Sequence, residues 1–288
     1  MINRLVQFCD SNYNRPTQCP DCPNVCRGGC EACLDAVHKR EDKCSYGCMN
    51  IAYFYVCKYI YKYSSEIGYI IKTLPVFDKY QILSIGCGPC TELIGVLNFL
   101  TNANQNSPVS FIGIDPNRIW EPIHGELAES VAAYPFEVKV QIQDENAFSF
   151  MARDPLRDSS WQPNLLILNY VFSDMKDNSE RQKLVDDLVK FMLPYMQKNS
   201  YIILNDINHN TQARNYFDLL YKKTKDDYAT SKVREGHFEN TNKPNGGYGY
   251  GRRFLNNAIT TSIVPNIASQ YNPWKFCTSA QLVLQKGV

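Results

Sequence analysis

The chain has 288 residues and carries 30 lysines and arginines against 29 acids, a net charge of +1. That length suits one α/β domain with a small appendage, and the near balance implies no whole-protein attraction to nucleic acid or anionic membrane. No charged start leads into an apolar segment, so no signal peptide is expected and the expected location is cytoplasmic.

The cysteines crowd at one end. Of twelve, Cys9, Cys19, Cys22, Cys26, Cys30, Cys33, Cys44 and Cys48 fall before residue 50. Few large apolar side chains accompany them, so residues 1–50 cannot offset their chain entropy by burial alone. Metal–thiolate bonds are the available substitute. Eight cysteines suffice for two zinc sites of four thiolates each, and His38 and Cys57 are further donors that leave the pairing open. An iron–sulfur cluster is the alternative. Within the run, Cys26, Cys30 and Cys33 also show the C-x3-C-x2-C spacing of radical S-adenosylmethionine enzymes, but Ala32 stands where those carry an aromatic and no strand pattern precedes Cys26. The expected organisation is a zinc-binding module over residues 1–50 and a larger domain over 51–288.

Apolar and aromatic residues recur at helical spacing from Asn50 to Leu74, closed by Pro75. This run is long enough to cross a bilayer, yet Lys58, Lys62 and Glu66 sit inside it, so a buried leading helix over 51–74 is expected rather than a membrane span. Strand and helix then alternate, the pattern of a parallel α/β sheet. Predicted strands are Ile82–Ile85, Val109–Ile114, Phe136–Ile142, Leu165–Leu168 and Tyr201–Leu204, with helices over 91–101, 179–193 and 211–223. Ala280–Gln285 alternates as an added antiparallel strand would. Residues 228–256 are irregular and too long for an idle connection, so a lid loop is expected there, with Tyr248, Tyr250, Arg252 and Arg253 facing substrate.

The most informative stretch is Gln81 to Glu92, reading QILSIGCGPCTE. A β-branched run ends in a turn with Gly86 and Gly88 one residue apart, and an apolar helix begins at once. Strand, glycine turn and helix let a ligand approach backbone N–H groups at a helix N-terminus. A dinucleotide site would want a third glycine where Thr91 stands, and an acid nearer than Asp115. Cys87 and Cys90 have no metal partner near them in sequence and read as small packing residues.

This stretch resembles motif I of the class I S-adenosylmethionine-dependent methyltransferases, which usually carry a further glycine where this chain has Cys90. The order and spacing of the later strands resemble the same family over residues 51–288. The resemblance implies a Rossmann-like sheet of the seven-stranded methyltransferase type, with helices on both faces. It also implies S-adenosylmethionine held by Gly86, Gly88, Asp115 on the ribose, Asp144 on the adenine, and Asn169. Asn169 and Tyr170 leave the fourth strand where the methyl group would emerge and are the candidate catalytic residues. Asp144 has a second reading as a helix N-cap; Asp206 and His209 are candidates for a base or substrate contacts, though a lone histidine beside a helix start reads more simply as a cap or surface residue.

No motif identifies the acceptor. The chain lacks the Pro-Pro-aromatic tetrapeptide of amino-group methyltransferases of nucleic acids and the Pro-Cys pair that attacks pyrimidines. LNYVFSDM, at the fourth-strand exit, resembles the mitoribosomal small-subunit assembly methyltransferase-like proteins. The expected acceptor is a small molecule or protein side chain, because positive and negative charges cancel over residues 1–50 and zinc thiolates would make them negative. Two other readings stay open: an RNA-associated metal-containing enzyme or assembly factor, and a methyltransferase-fold binding protein without catalysis. Duplex nucleic acid and membrane are not expected partners, and the oligomeric state is open.

Overall fold

In a computed structural model the structure describes residues 1–14, 29–38, 46–153, 156–157, 159–237, 262–274 and 276–287. Strands β1 (Tyr80–Ile85), β2 (Val109–Ile114), β3 (Val138–Gln143), β4 (Leu165–Asn169), β5 (Tyr201–Asp206), β6 (Ser231–His237) and β7 (Ala280–Gln285) form one sheet in the order β3-β2-β1-β4-β5-β7-β6. The first five run parallel, while β7 lies antiparallel between β5 and β6. The order reverses between β1 and β4, which makes the C-terminal ends of these strands the place for a ligand crevice. This is the Rossmann-like methyltransferase layout that the motif resemblance implied.

Burial explains the sequence of each strand. β4 and β5 are central and buried along their whole length, and read as continuous apolar runs. β3, at one edge, alternates between half-buried and exposed residues. β6, at the other edge, is an exposed strand of charged residues with an irregularity between Lys232 and Arg234, the features that keep an edge from pairing further. Of the lid expected over 228–256, residues 231–237 are strand, and Tyr248, Tyr250, Arg252 and Arg253 lie outside the described residues.

Helices cover both faces. On one lie α3 (Met49–Ile71), α4 (Thr91–Asn102) and α5 (Glu121–Val131), with α1 (Ile2–Asn12) and α2 (Cys30–His38) packed against α3. On the other lie α6 (Ala147–Ala152), α7 (Asn178–Asp187) and α8 (Asn215–Thr224). A further helix, α9 (Pro265–Tyr271), packs on α3. The single helix expected over 179–193 is interrupted: after α7 the chain widens into a π turn at Leu188–Met192 and tightens at Leu193–Tyr195 around Pro194. No helix among the described residues is long and apolar enough to cross a membrane.

The N-terminal helix packs on the body of the domain. Leu5, Val6 and Cys9 share one face of α1 and are fully buried, where α1 meets α3 and α5. Arg4 pairs with Glu129 of α5 at 2.8 Å, and the Tyr271 hydroxyl donates to Asp10 at 2.6 Å. Residues 2–12 therefore belong to the body of the domain. Cys9 is a core residue beside Cys57, and burial pushes its thiol well up. Cys30 and Cys33, one turn apart on α2, and Cys48, preceding α3, are buried. Cys19, Cys22, Cys26 and Cys44 lie outside the described residues.

The α3–α4 crossing is made by two glycines. A Cβ on Gly95 would stand 2.7 Å from the Ser64 carbonyl oxygen and 3.0 Å from the Gly68 nitrogen, backbone atoms that cannot step aside. Gly95→Ala should therefore push the helices apart and cost about 1–3 kcal/mol. A urea melt showing unchanged stability would contradict this packing.

Candidate functional site

The turn between β1 and α4 is held from both sides. Gly86 N–H and Cys87 N–H both donate to the Ile114 carbonyl at the end of β2, at 2.7 and 3.1 Å. Gly86 and Gly88 have φ of +66° and +46°, a region glycine enters without steric cost. Asp115, the first residue after β2, accepts from Gly88 N–H at 2.8 Å and from Asn117 N–H at 2.9 Å. Burial raises its pKa, and these two N–H donors oppose the shift. His124 of α5 closes the other side, its Nε2 lying 2.7 Å from the Gly88 carbonyl oxygen. Trp120, buried before α5, stands 3.9 Å from where a Cβ on Gly88 would be and meets Tyr55 of α3 at 5.5 Å between ring centroids.

Asp144 comes to the same edge at the end of β3, near enough to Asp115 to raise its pKa, and pairs with Arg118. Its second reading as a helix cap is not what the structure contains. Asn146 caps α6, its side-chain oxygen accepting from Phe148 N–H at 2.8 Å. The structure thus gathers Gly86, Gly88, Asp115 and Asp144 at one edge of the sheet.

Asn169 and Tyr170 belong to a buried network beside it. The Asn169 amide donates to Thr91 Oγ1 at 2.9 Å, and Asn205 of β5 donates to Asn169 Oδ1 at 2.7 Å. Asn205 also donates to Glu66 Oε2 at 3.1 Å, and the Tyr170 hydroxyl donates to the same oxygen at 2.9 Å. Lys62 Nζ donates to the Tyr170 hydroxyl at 2.8 Å. The other Glu66 oxygen accepts from Thr278 and Ser279 N–H at 2.9 and 3.3 Å. Lys62 and Glu66, one turn apart on α3, are 2% and 0% exposed and 3.7 Å from each other. The Lys62 ammonium also lies 4.8 to 5.2 Å from the ring centres of Trp274, Tyr170 and Tyr63. Burial raises the Tyr170 phenol well above its ordinary range.

Sequence reasoning used Lys62 and Glu66 only as evidence against a membrane helix. Their signal was present: two opposite charges at i and i+4 in an otherwise apolar helix. It also missed Glu92, in the first turn of α4, whose Oε2 is buried without a hydrogen-bond partner among the described residues. Burial pushes its carboxyl up to about 8. Asp206 ends β5 fully buried, accepts from Ser173 N–H at 3.1 Å, and is raised by burial to about 6. His209 is exposed.

No family model and no curated protein matches the chain. Among solved structures it is similar to a class I S-adenosylmethionine-dependent methyltransferase from Listeria monocytogenes, at 12% identity and a TM-score of 0.47, over all of this chain and 88% of that one. It is similar to the YcgJ protein of Bacillus subtilis at 13% identity and a TM-score of 0.43, over 77% of this chain and 97% of that one. The magnesium protoporphyrin IX methyltransferase of Synechocystis PCC 6803, solved with bound SAH, matches at 11% identity and a TM-score of 0.40, over 83% and 85% of the two chains.

Two outcomes check this site. Glu66→Ala leaves the Lys62 ammonium buried without its counter-charge and should cost about 3–5 kcal/mol. The double variant Lys62→Met, Glu66→Gln should recover part of that loss in urea melts, and a double variant less stable than Glu66→Ala would contradict the pairing. Glu92 gives a pH signature. Its carboxyl titrates near 8 when folded, against an ordinary 4.5, so between those values the folded chain holds a proton that the unfolded chain has lost. Its contribution is complete below about pH 4.5 and is lost as the pH rises through 8, with a slope of up to about 1.4 kcal/mol per pH unit. Glu92→Gln should flatten that slope, and an unchanged profile would contradict the assignment.

Proposed function

We propose that the chain is an S-adenosylmethionine-dependent methyltransferase acting on a small molecule or a protein side chain. The observation that carries this reading is the clamped turn: two left-handed glycines at the end of β1, locked to the acid at the end of β2. The residues present fit such a cofactor. An ionised carboxylate has about four acceptor positions, so Asp115 retains capacity for ribose hydroxyls after serving two backbone N–H groups. The buried Glu92 carboxyl, which holds its proton when no counter-charge faces it, would ionise against the cationic amino-acid end and so suits it. Asp144 at the β3 end suits the adenine amine.

When bound, the cofactor supplies an electrophilic methyl group on a sulfonium. The chain's part is alignment of the acceptor, which alone can be worth several kcal/mol. Asn169 would be fixed in orientation by Thr91 and Asn205, and Tyr170 by Lys62 and Glu66, so neither is free to take a proton. Tyr59 and Tyr63 of α3, with Tyr170 after β4, form an aromatic cluster that suits a flat acceptor.

For the N-terminal segment the proposal is structural zinc held by Cys9, Cys19, Cys22, Cys26, Cys30, Cys33, Cys44 and Cys48, supported by their crowding before residue 50. Iron with acid-labile sulfide on elemental analysis would replace zinc by a cluster.

Calorimetry with S-adenosylmethionine tests the main reading. The wild type should bind, and Asp115→Ala should lose about 1.5–3 kcal/mol of affinity, as for hydrogen bonds to a charged group. Equal binding by both chains would refute the site, and no binding by either would favour a methyltransferase-fold protein without catalysis.

A further inference from the structure

The turn that carries Gly86 and Gly88 also gathers three side chains of metal-ligand type. Cys87 and Cys90 flank Gly88-Pro89, and His124 reaches them from α5. One ligand atom of each lies within 4.8 Å of the other two, the one such group among the described residues. A tetrahedral zinc ion, with sulfur at about 2.3 Å and nitrogen at about 2.0 Å, holds its donors roughly 3.5–4 Å apart. Small side-chain rotations would bring these three to that spacing.

The backbone supplies an independent observation. Cys90 precedes α4 with φ 59° and ψ 42°, a left-handed conformation that is unfavourable for a non-glycine residue. Glycine would sit there without that cost. A cysteine at this place, fully buried with its sulfur beside Cys87 and His124, gains from the sulfur what it loses in the backbone. His124 supplies a third. The Gly88 carbonyl can only accept, so the ring nitrogen 2.7 Å from it carries the proton. With its own proton released, the opposite nitrogen would offer a lone pair, the tautomer found when a metal-bound imidazole is anchored through its other nitrogen by a carbonyl.

We infer that Cys87, Cys90 and His124 form a binding site for one thiophilic divalent cation, zinc above all, with a fourth coordination position open. Two thiolates and an imidazole are a donor set suited to zinc, and three protein ligands with an open fourth place is the coordination of a zinc ion that accepts an outside ligand. Binding displaces the two thiol protons to solvent, with no change in oxidation state. The metal would tie the glycine turn to α5. It is separate from the N-terminal cysteines, and it does not depend on which cofactor the turn receives.

The test counts zinc per full-length chain by elemental analysis, after purification under reductant and dialysis, for the wild type, Cys90→Gly and His124→Gln. Each variant should hold one zinc fewer than the wild type, whatever the N-terminal cysteines retain. Cys90→Gly should melt no lower than the zinc-stripped wild type, because glycine relieves the left-handed strain. Loading with cadmium-113 should give one resonance in the wild type that is missing from both variants. Equal zinc counts and identical cadmium spectra in all three chains would overturn the site. So would a Cys87–Cys90 disulfide, found by mass spectrometry in chain purified under reductant with its zinc count unchanged from a reduced control.

Discussion

The Glu66 carboxylate is the point at which α3, the central strands and the entry to β7 are joined. It accepts from Tyr170 at the end of β4, from Asn205 in β5 and from the backbone before β7, and it offsets the buried Lys62 ammonium. A buried ion pair rarely adds net stability over apolar side chains of the same shape. What it adds here is position. Each acceptor oxygen is matched to donors on different elements, so α3 has one register against the sheet, and its tyrosines are set over the C-terminal edge in one arrangement. Asn169 and Tyr170 inherit their orientation from the same network.

The second constraint is the bond from Gly88 N–H to Asp115. It links the turn after β1 to the end of β2, two elements already paired in parallel register, and so fixes the turn's left-handed glycines relative to the acid. Cys90 continues that turn at a backbone conformation made for glycine. Its neighbours Cys87 and His124 explain the choice of residue, since both can share a metal ion with its sulfur.

Much of this was legible in the sequence. The limits of β2 and β7 coincide with those predicted, Val109–Ile114 and Ala280–Gln285, because apolar strands bounded by polar turns announce themselves. The glycine turn with Asp115 and Asp144 at the following strand ends was also readable. What was missed has physical reasons. β6 is an exposed edge strand whose charged residues erase the alternation that marks a half-buried strand. α1 buries only Leu5, Val6 and Cys9, and an apolar face that short is hard to see among cysteines that point to metal. His124 meets Cys87 and Cys90 only through the packing of α5 beside the turn, and nothing in local spacing brings a residue from the next helix to them. Glu66 and Lys62 were visible as charges in an apolar helix, but their partners come from β4, β5 and the segment before β7.

The central claim is that the edge formed by Gly86, Gly88, Asp115 and Asp144 receives the cofactor. A crystal structure of the full chain with S-adenosylhomocysteine tests it most directly. The account predicts electron density for the nucleoside between the glycine turn and the β2 end, with the ribose hydroxyls on Asp115 and the amino-acid end towards Glu92. Density at another edge of the sheet, or an Asp115 carboxylate that touches only Gly88 and Asn117 while the ligand lies elsewhere, would contradict it.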